Sequence, residues 1–225
     1  MTAFNTLGMG NYGATWESKG YCGAGNVGSL VDSLRGRSAV VCGNAQGVFD
    51  EYEAAVKILG RDAVVFGVND VGMYLDRLDH WVSLHTANLA GWQTVRWLHN
   101  KGVENVEIHA PDEKPSVDYI WHGLTPIMAI SGYFAMQIAY IMGCAPIVLC
   151  GCPGAGVKRF FESAPRSDFS YGAGANGMDA GVREQLMNEM TRLPDFKSKV
   201  RSMSGWTRDY FGAFDRSCVE ERKVG

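Results

Sequence analysis

From Ser38 onward the chain alternates between short apolar runs and longer segments with helical spacing. "SAVVCG", "DAVVFGVN", "HWVSLH", "VENVEIHA", "PIVLCGC" and "KVRSMSG" read as six strands. Between them, "VFDEYEAAVKILG" places Val48, Tyr52, Ala55 and Leu59 on one helix face, with Gly60 as the stop. "VGMYLDRL" reads as a short helix and "LAGWQTVRWLHNKG" as a longer one ending at Gly102. "SGYFAMQIAYIMGC" reads as an almost wholly apolar helix, "MDAGVREQLMNEMTRL" as an amphipathic one and "WTRDYFGAF" as a short one. Strands that alternate with helices need crossover connections, so the sheet is expected to be mostly parallel. Continuous apolar strands fit a sheet covered by helices on both faces. The expected class is therefore α/β, Rossmann-like, with about six strands.

The flanks differ. Residues 1–37 are glycine-rich and lack either periodicity, so they read as either a mobile arm or one that wraps a surface or a partner. Residues 38–215 form the expected domain, and 216–225 a charged tail. Within the domain, 152–177 is long, rich in glycine, serine and aromatics, and weakly periodic, which suits a lid or binding loop.

Composition narrows the function classes. With 225 residues, 46% hydrophobic and 20% charged, one sizeable core is affordable. A net charge of −3 argues against nucleic-acid or membrane-surface binding through bulk charge. No apolar run reaches the roughly 18 residues of a membrane span. The start lacks the basic and apolar regions of a secretory signal, so a cytoplasmic protein is expected. The six cysteines form no Cys-x-x-Cys and are expected to be reduced and structural. No metal site is expected, since zinc ligands would have to assemble from distant positions.

In open parallel sheets ligands bind outside the carboxyl ends of the strands. The residues placed there are Gly43 and Asn44, Asn69 and Asp70, His85, the helix start Ser131-Gly132, and Ser204 with Thr207. Glycines let backbone N–H groups approach oxygens, and helix N-termini carry partial positive charge, so this rim suits a phosphate-bearing ligand. Neither the dinucleotide nor the P-loop fingerprint is present. Asp50-Glu51 is expected on the helix surface, and Tyr133, Phe134, Met136, Tyr140 and Met142 in the core.

The pieces "VVCGNAQGV", "VFGVND", "WVSLHTANL", "ISGYFAMQIAYIMGCAPIVLCGCPG" and "KVRSMSGWTRDYFGAF" occur in the order seen in one group of proteins. Over Ser38 to Phe214 the chain resembles the bacterial lipooligosaccharide sialyltransferases and the related hydroxymethylpterin diphosphokinase-like proteins, with a phage or prophage subgroup nearest in pattern. The resemblance implies that Gly43, Asn44, Asn69, Ser131 and Gly132 line a nucleotide-phosphate site, with Ser204 and Thr207 on the same rim. His85 stands where the sialyltransferases carry an asparagine. Tyr171 is the only tyrosine in the lid loop, where the family uses tyrosines on the leaving phosphate. The family's general-base histidine has no counterpart, because no histidine follows His122; His85 or Asp168 would have to substitute. The implied activity is transfer from a nucleotide-activated sugar donor. One alternative is a non-catalytic nucleotide-binding fold with an assembly or homo-oligomer contact through residues 1–37. Another is an ATP- and Mg²⁺-dependent diphosphokinase-like transferase, for which Asp70 is the one well-placed carboxylate.

Overall fold

The computed structural model describes residues 27–122, 124, 130–154, 159–161, 180–190 and 193–220. Seven strands form one sheet: β1 (Ala39–Cys42), β2 (Val64–Val68), β3 (His80–Val82), β4 (Glu107–Ala110), β5 (Tyr119–Ile120), β6 (Ile147–Cys150) and β7 (Val200–Ser202). Their order is β5-β4-β3-β2-β1-β6-β7, and every neighbouring pair is parallel. The helices are α1 (Val48–Leu59), α2 (Leu89–Leu98), α3 (Ser131–Ile141), α4 (Ala180–Met190), α5 (Phe196–Lys199), α6 (Gly205–Phe211) and α7 (Ser217–Glu220).

Strand alternation explains the continuous apolar runs. Ala39 and Val41 face one core with Phe66, Val82 and Leu149, covered by α3. Val40 and Cys42 face the other with Val65, Trp81 and Val148, covered by α1 and α2. Both faces are covered by apolar side chains, as a doubly wound parallel sheet requires. Each fully buried Val, Leu or Phe contributes about 1.5–3 kcal/mol. Tyr133, Phe134, Met136 and Met142 are core residues as expected; Tyr140 is only partly buried, and its hydroxyl donates to Pro194 O at 2.6 Å.

Two local readings are corrected. β5 was not expected: two residues are too few to show a period, and only pairing with His109 and Ala110 defines it. The stretch 71–78 is not a helix but a 3-10 turn over Asn69–Met73 followed by irregular chain. Arg96 of α2 is 3% exposed, and its guanidinium donates to Gly72 O and Leu75 O. Lys101 takes Tyr74 O. These carbonyls are thus capped by side chains from outside rather than by a helical ladder. Residues 27–37, the end of the glycine-rich segment, pack on the domain. Val27 and Leu30 are buried, and the N–H groups of Asp32, Leu34 and Gly36 donate to the carbonyls of Ile141, Met142 and Gly143 at the end of α3. The remainder of the glycine-rich arm, residues 1–26, lies outside the described residues.

Candidate functional site

Chain order reverses between β1 and β6, the place where a doubly wound sheet opens a crevice at its carboxyl edge. A cavity of about 260 Å³ lies there. It brings together Gly43 and Asn44 after β1, Asn69 after β2, His85 after β3, Ser131 and Gly132 at the start of α3, and Gly151 to Gly154 after β6. Val68, Leu149, Tyr133 and Met136 supply an apolar floor. Most of the expected rim residues therefore do share one site.

Their roles differ from the expectation in several cases. The glycines first serve close packing of the β1 and β6 ends. Gly43 N donates to Cys150 O at 2.8 Å, and Ala45 N to Gly151 O at 3.1 Å. A Cβ on Gly43 would lie 2.5 Å from both Cys152 Sγ and Gly151 O. Glu51 is not a free surface residue: its Oε2 accepts from Gly151 N at 2.6 Å and pins α1 to the β6 turn. Asp50 is exposed as expected.

Asn69 sits in the left-handed region at φ 56°, a conformation asparagine tolerates better than most residues. Its Nδ2 donates to Ser131 Oγ at 3.1 Å, and its Oδ1 accepts from Ser83 Oγ at 2.9 Å. Ser83 Oγ in turn accepts from the His85 N–H at 2.8 Å. Asn69 thus ties the ends of β2 and β3 to α3 and sets where His85 enters the cavity. Asn44 Oδ1 accepts from Val71 N at 3.3 Å. α3 begins without a side-chain cap. The N–H groups of Ser131 and Gly132 fall outside its own ladder, and both residues line the cavity.

Asp70 was expected on the rim, but it is 8% exposed and lies behind the wall. Burial pushes its carboxyl up from the ordinary value; Arg159, His85 and a hydrogen bond from Asn44 pull it partly back. Its Oδ1 is buried without a hydrogen-bond partner. Thr207 reaches the cavity wall, yet its hydroxyl is committed: Oγ1 donates to Cys152 O at 2.7 Å and meets Ser202 Oγ at 2.8 Å. Ser204 does not reach the cavity; its carbonyl accepts from Arg208 N. Cys152 borders the cavity, but burial, helped by Cys150 and Glu51, pushes its thiol up to about 12, so it is a neutral thiol rather than a nucleophile at neutral pH. The described cysteines Cys42, Cys144, Cys150, Cys152 and Cys218 are all free. Asp168 and Tyr171 lie outside the described residues.

The sequence reading missed Arg159. It lines the cavity, carried there by an antiparallel bridge between Ala45 and Arg159 and by Phe160 N donating to Asn44 O at 3.0 Å. The only signal was "KR", the first charges after β6 in the long loop. Among the described residues lining the cavity, Arg159 is the one permanent charge and none is a carboxylate.

This architecture has a counterpart among solved structures. The chain is similar to the sialyltransferase CstII from Campylobacter jejuni, solved with a substrate analogue, cytidine-5'-monophosphate. The TM-score is 0.54 at 11% sequence identity, over 81% of this chain and 86% of that one. The likeness concerns the fold: an α/β, Rossmann-type parallel sheet. No protein-family model matches the sequence, and no curated protein matches it. Among the described residues no helix is long and apolar enough to cross a membrane.

Proposed function

We propose that the cavity binds the nucleotide of an activated sugar donor and that the protein is a glycosyltransferase-like enzyme. One observation carries the reading: at the switch point, the uncapped start of α3 and the Arg159 guanidinium border a cavity whose described lining holds no carboxylate. Helix-end N–H groups and a guanidinium are the groups that bind phosphate oxygens and stabilise charge on a departing phosphate. A carboxylate in the wall would repel that charge. The apolar floor then takes the base or sugar ring.

In this reading Ser131, Gly132 and Arg159 hold the phosphate. Gly43 and Asn44 border it, and Asn69 positions Ser131. His85, the one imidazole in the described lining, is the general base toward an acceptor hydroxyl, a task an imidazole performs near neutral pH. Tyr171 of the lid loop is the candidate for assisting the leaving phosphate, and Asp168 is the alternative to His85 as base. Because the structurally similar sialyltransferase holds cytidine-5'-monophosphate, cytidine nucleotides are the first probes.

The test is calorimetry and thermal shift with CMP, UMP, GMP and AMP and their sugar-linked forms. A ligand at a hundredfold excess over its Kd stabilises by about 2.7 kcal/mol. Arg159→Ala is expected to weaken binding at least tenfold while leaving the unliganded melting temperature near wild type. Absence of binding by every nucleotide in the panel would sink the proposal.

A second reading is a fold that binds the nucleotide without transferring it, serving assembly, for example in a phage particle. It is favoured by how many rim side chains are committed to one another: Asn69 to Ser131 and Ser83, Asn44 to Val71, Thr207 to Cys152. Donor hydrolysis or transfer lost in His85→Ala with binding retained would decide for the enzyme. Binding without turnover under any acceptor would decide for the alternative.

A further inference from the structure

Away from the cavity, on the sheet face covered by α3, His80 of β3 converges with Glu107 and His109 of β4. Strand register sets His80 beside Glu107 and Val82 beside His109, and alternation returns His109 to the same face. His80 Nδ1 lies 3.0 Å from His109 Nε2 and 3.2 Å from Glu107 Oε2; His109 Nε2 is 3.9 Å from the same oxygen. Both histidines are buried, while the Glu107 side chain is 40% exposed. The rings are held in place: His80 stacks on Phe66 at 4.4 Å and His109 on Tyr119 at 5.2 Å.

Two imidazoles and a carboxylate within 4.8 Å of one another have the composition of a metal triad. Trp121 argues otherwise. Its Nε1–H donates to His109 Nδ1 at 3.0 Å, and an indole N–H can only donate. His109 Nδ1 therefore carries a lone pair, and the neutral ring carries its proton on Nε2, the atom a metal would need. Metal-bound histidines have the reverse arrangement, with the distal N–H donating to an acceptor. Burial, reinforced by His80, holds His109 well below the ordinary histidine value, so it stays neutral and donates from Nε2 to His80 Nδ1.

This leaves one atom with two suitors. His80 Nδ1 accepts from His109 when it holds a lone pair. When it holds a proton it donates to Glu107 instead, and the His109 N–H then faces another N–H across 3.0 Å. Both cannot stand together. Trp121 is tied in as well, through Trp121 N to Ala110 O beside β5, and it begins the connection that leads to Ser131 at the cavity.

We propose that His80, Glu107, His109 and Trp121 form a proton-operated clasp on the β3–β4–β5 edge. Unprotonated His80 locks His109 and Trp121 in place; protonated His80 pairs with Glu107 and releases them. The other titratable groups nearby are committed elsewhere. Asp118 accepts from Ile108 N, and Asp79 accepts from Val65 N and pairs with Arg77. The Tyr119 hydroxyl is pushed up from its ordinary value by burial and by Glu107 and Asp118, and so stays neutral. β2 contributes Phe66, and α3 carries no charged residue.

Histidine and indole NMR of the full chain between about pH 5 and pH 8 tests this. Expected are a non-titrating His109 protonated on Nε2 and a Trp121 indole N–H resonance that moves in one step with His80. Glu107→Gln should shift that step to lower pH by about half a unit or more, since the counterion of protonated His80 is gone. His80→Gln should make the Trp121 resonance independent of pH. Glu107 is partly exposed, so Glu107→Gln keeps the test available if His80→Gln folds poorly. A Trp121 resonance unmoved by pH, or an unchanged step in Glu107→Gln, would overturn the clasp. So would stoichiometric Zn²⁺ binding that deprotonates His109 Nε2, which would make the cluster a metal site.

Discussion

Gly47 and Gly151 both adopt positive φ, 88° and 62°, yet substitution should punish them unequally. Nothing lies within 4 Å of a Cβ built on Gly47, so Gly47→Ala meets only the backbone cost of about 1 kcal/mol. A Cβ on Gly151 would come 2.6 Å from Val48 Cβ and 3.0 Å from Gly43 O. Overpacking is added there, for a total of about 3 kcal/mol. Urea unfolding of the two variants reads the difference; equal losses would contradict the packing role assigned to the β1–β6 seam. At this scale the sequence was informative about residue type and less so about purpose. Gly43, Asn44, Asn69 and Ser131 could be placed at strand and helix ends from the pattern. That Asn69 bonds Ser131, or that Glu51 reaches Gly151, depends on side chains meeting across 62 and 100 residues of chain, which no local pattern encodes.

The connection after β6 is held by an element that sits far from it in sequence. Thr207 of α6 is 4% exposed, and its hydroxyl links the Cys152 carbonyl to Ser202 of β7. Thr207→Val keeps the shape and removes the donor, leaving the part-buried Cys152 carbonyl without this partner, a loss of about 1 kcal/mol. Hydrogen exchange should quicken at residues 151–154 and at β7 while β2 to β4 keep wild-type protection. Uniform loosening of the whole sheet would show that Thr207 does something other than tie this corner. β1, β2 and β6 were readable as continuous apolar runs, and β3, β4 and β7 from their place between helical segments. β5 was hidden by its brevity. The stretch 71–78 read as a helix because Arg96, which captures the carbonyls of Gly72 and Leu75, lies 24 and 21 residues away from them.

The sheet runs unbroken from β5 to β7, so a charge buried at its carboxyl edge bears on the stability of the whole molecule. Burial holds the Asp70 carboxyl above its ordinary value, and folding therefore favours the protonated acid. That contribution is complete below the unfolded-state value, about 3.9, and is lost as pH rises through the higher folded-state value. Asp70→Asn stays neutral and avoids the loss. The variant should melt above wild type at neutral pH, with the gap closing as pH falls below about 3.9. A constant gap at all pH values would mean that the substitution acts through packing rather than charge.

The chain's own pattern determined the class of fold, the parallel sheet and the edge at which the cavity opens. These follow from local periodicity and from the rule that crossover helices leave the strand ends open. Tertiary structure decided which rim residues share a cavity, set Asp70 behind the wall and brought Arg159 to the front. It also gathered His80, Glu107, His109 and Trp121 into one cluster. Those outcomes turn on distances of a few ångströms between residues far apart in the chain, where strand register and side-chain packing rather than local preference set who meets whom.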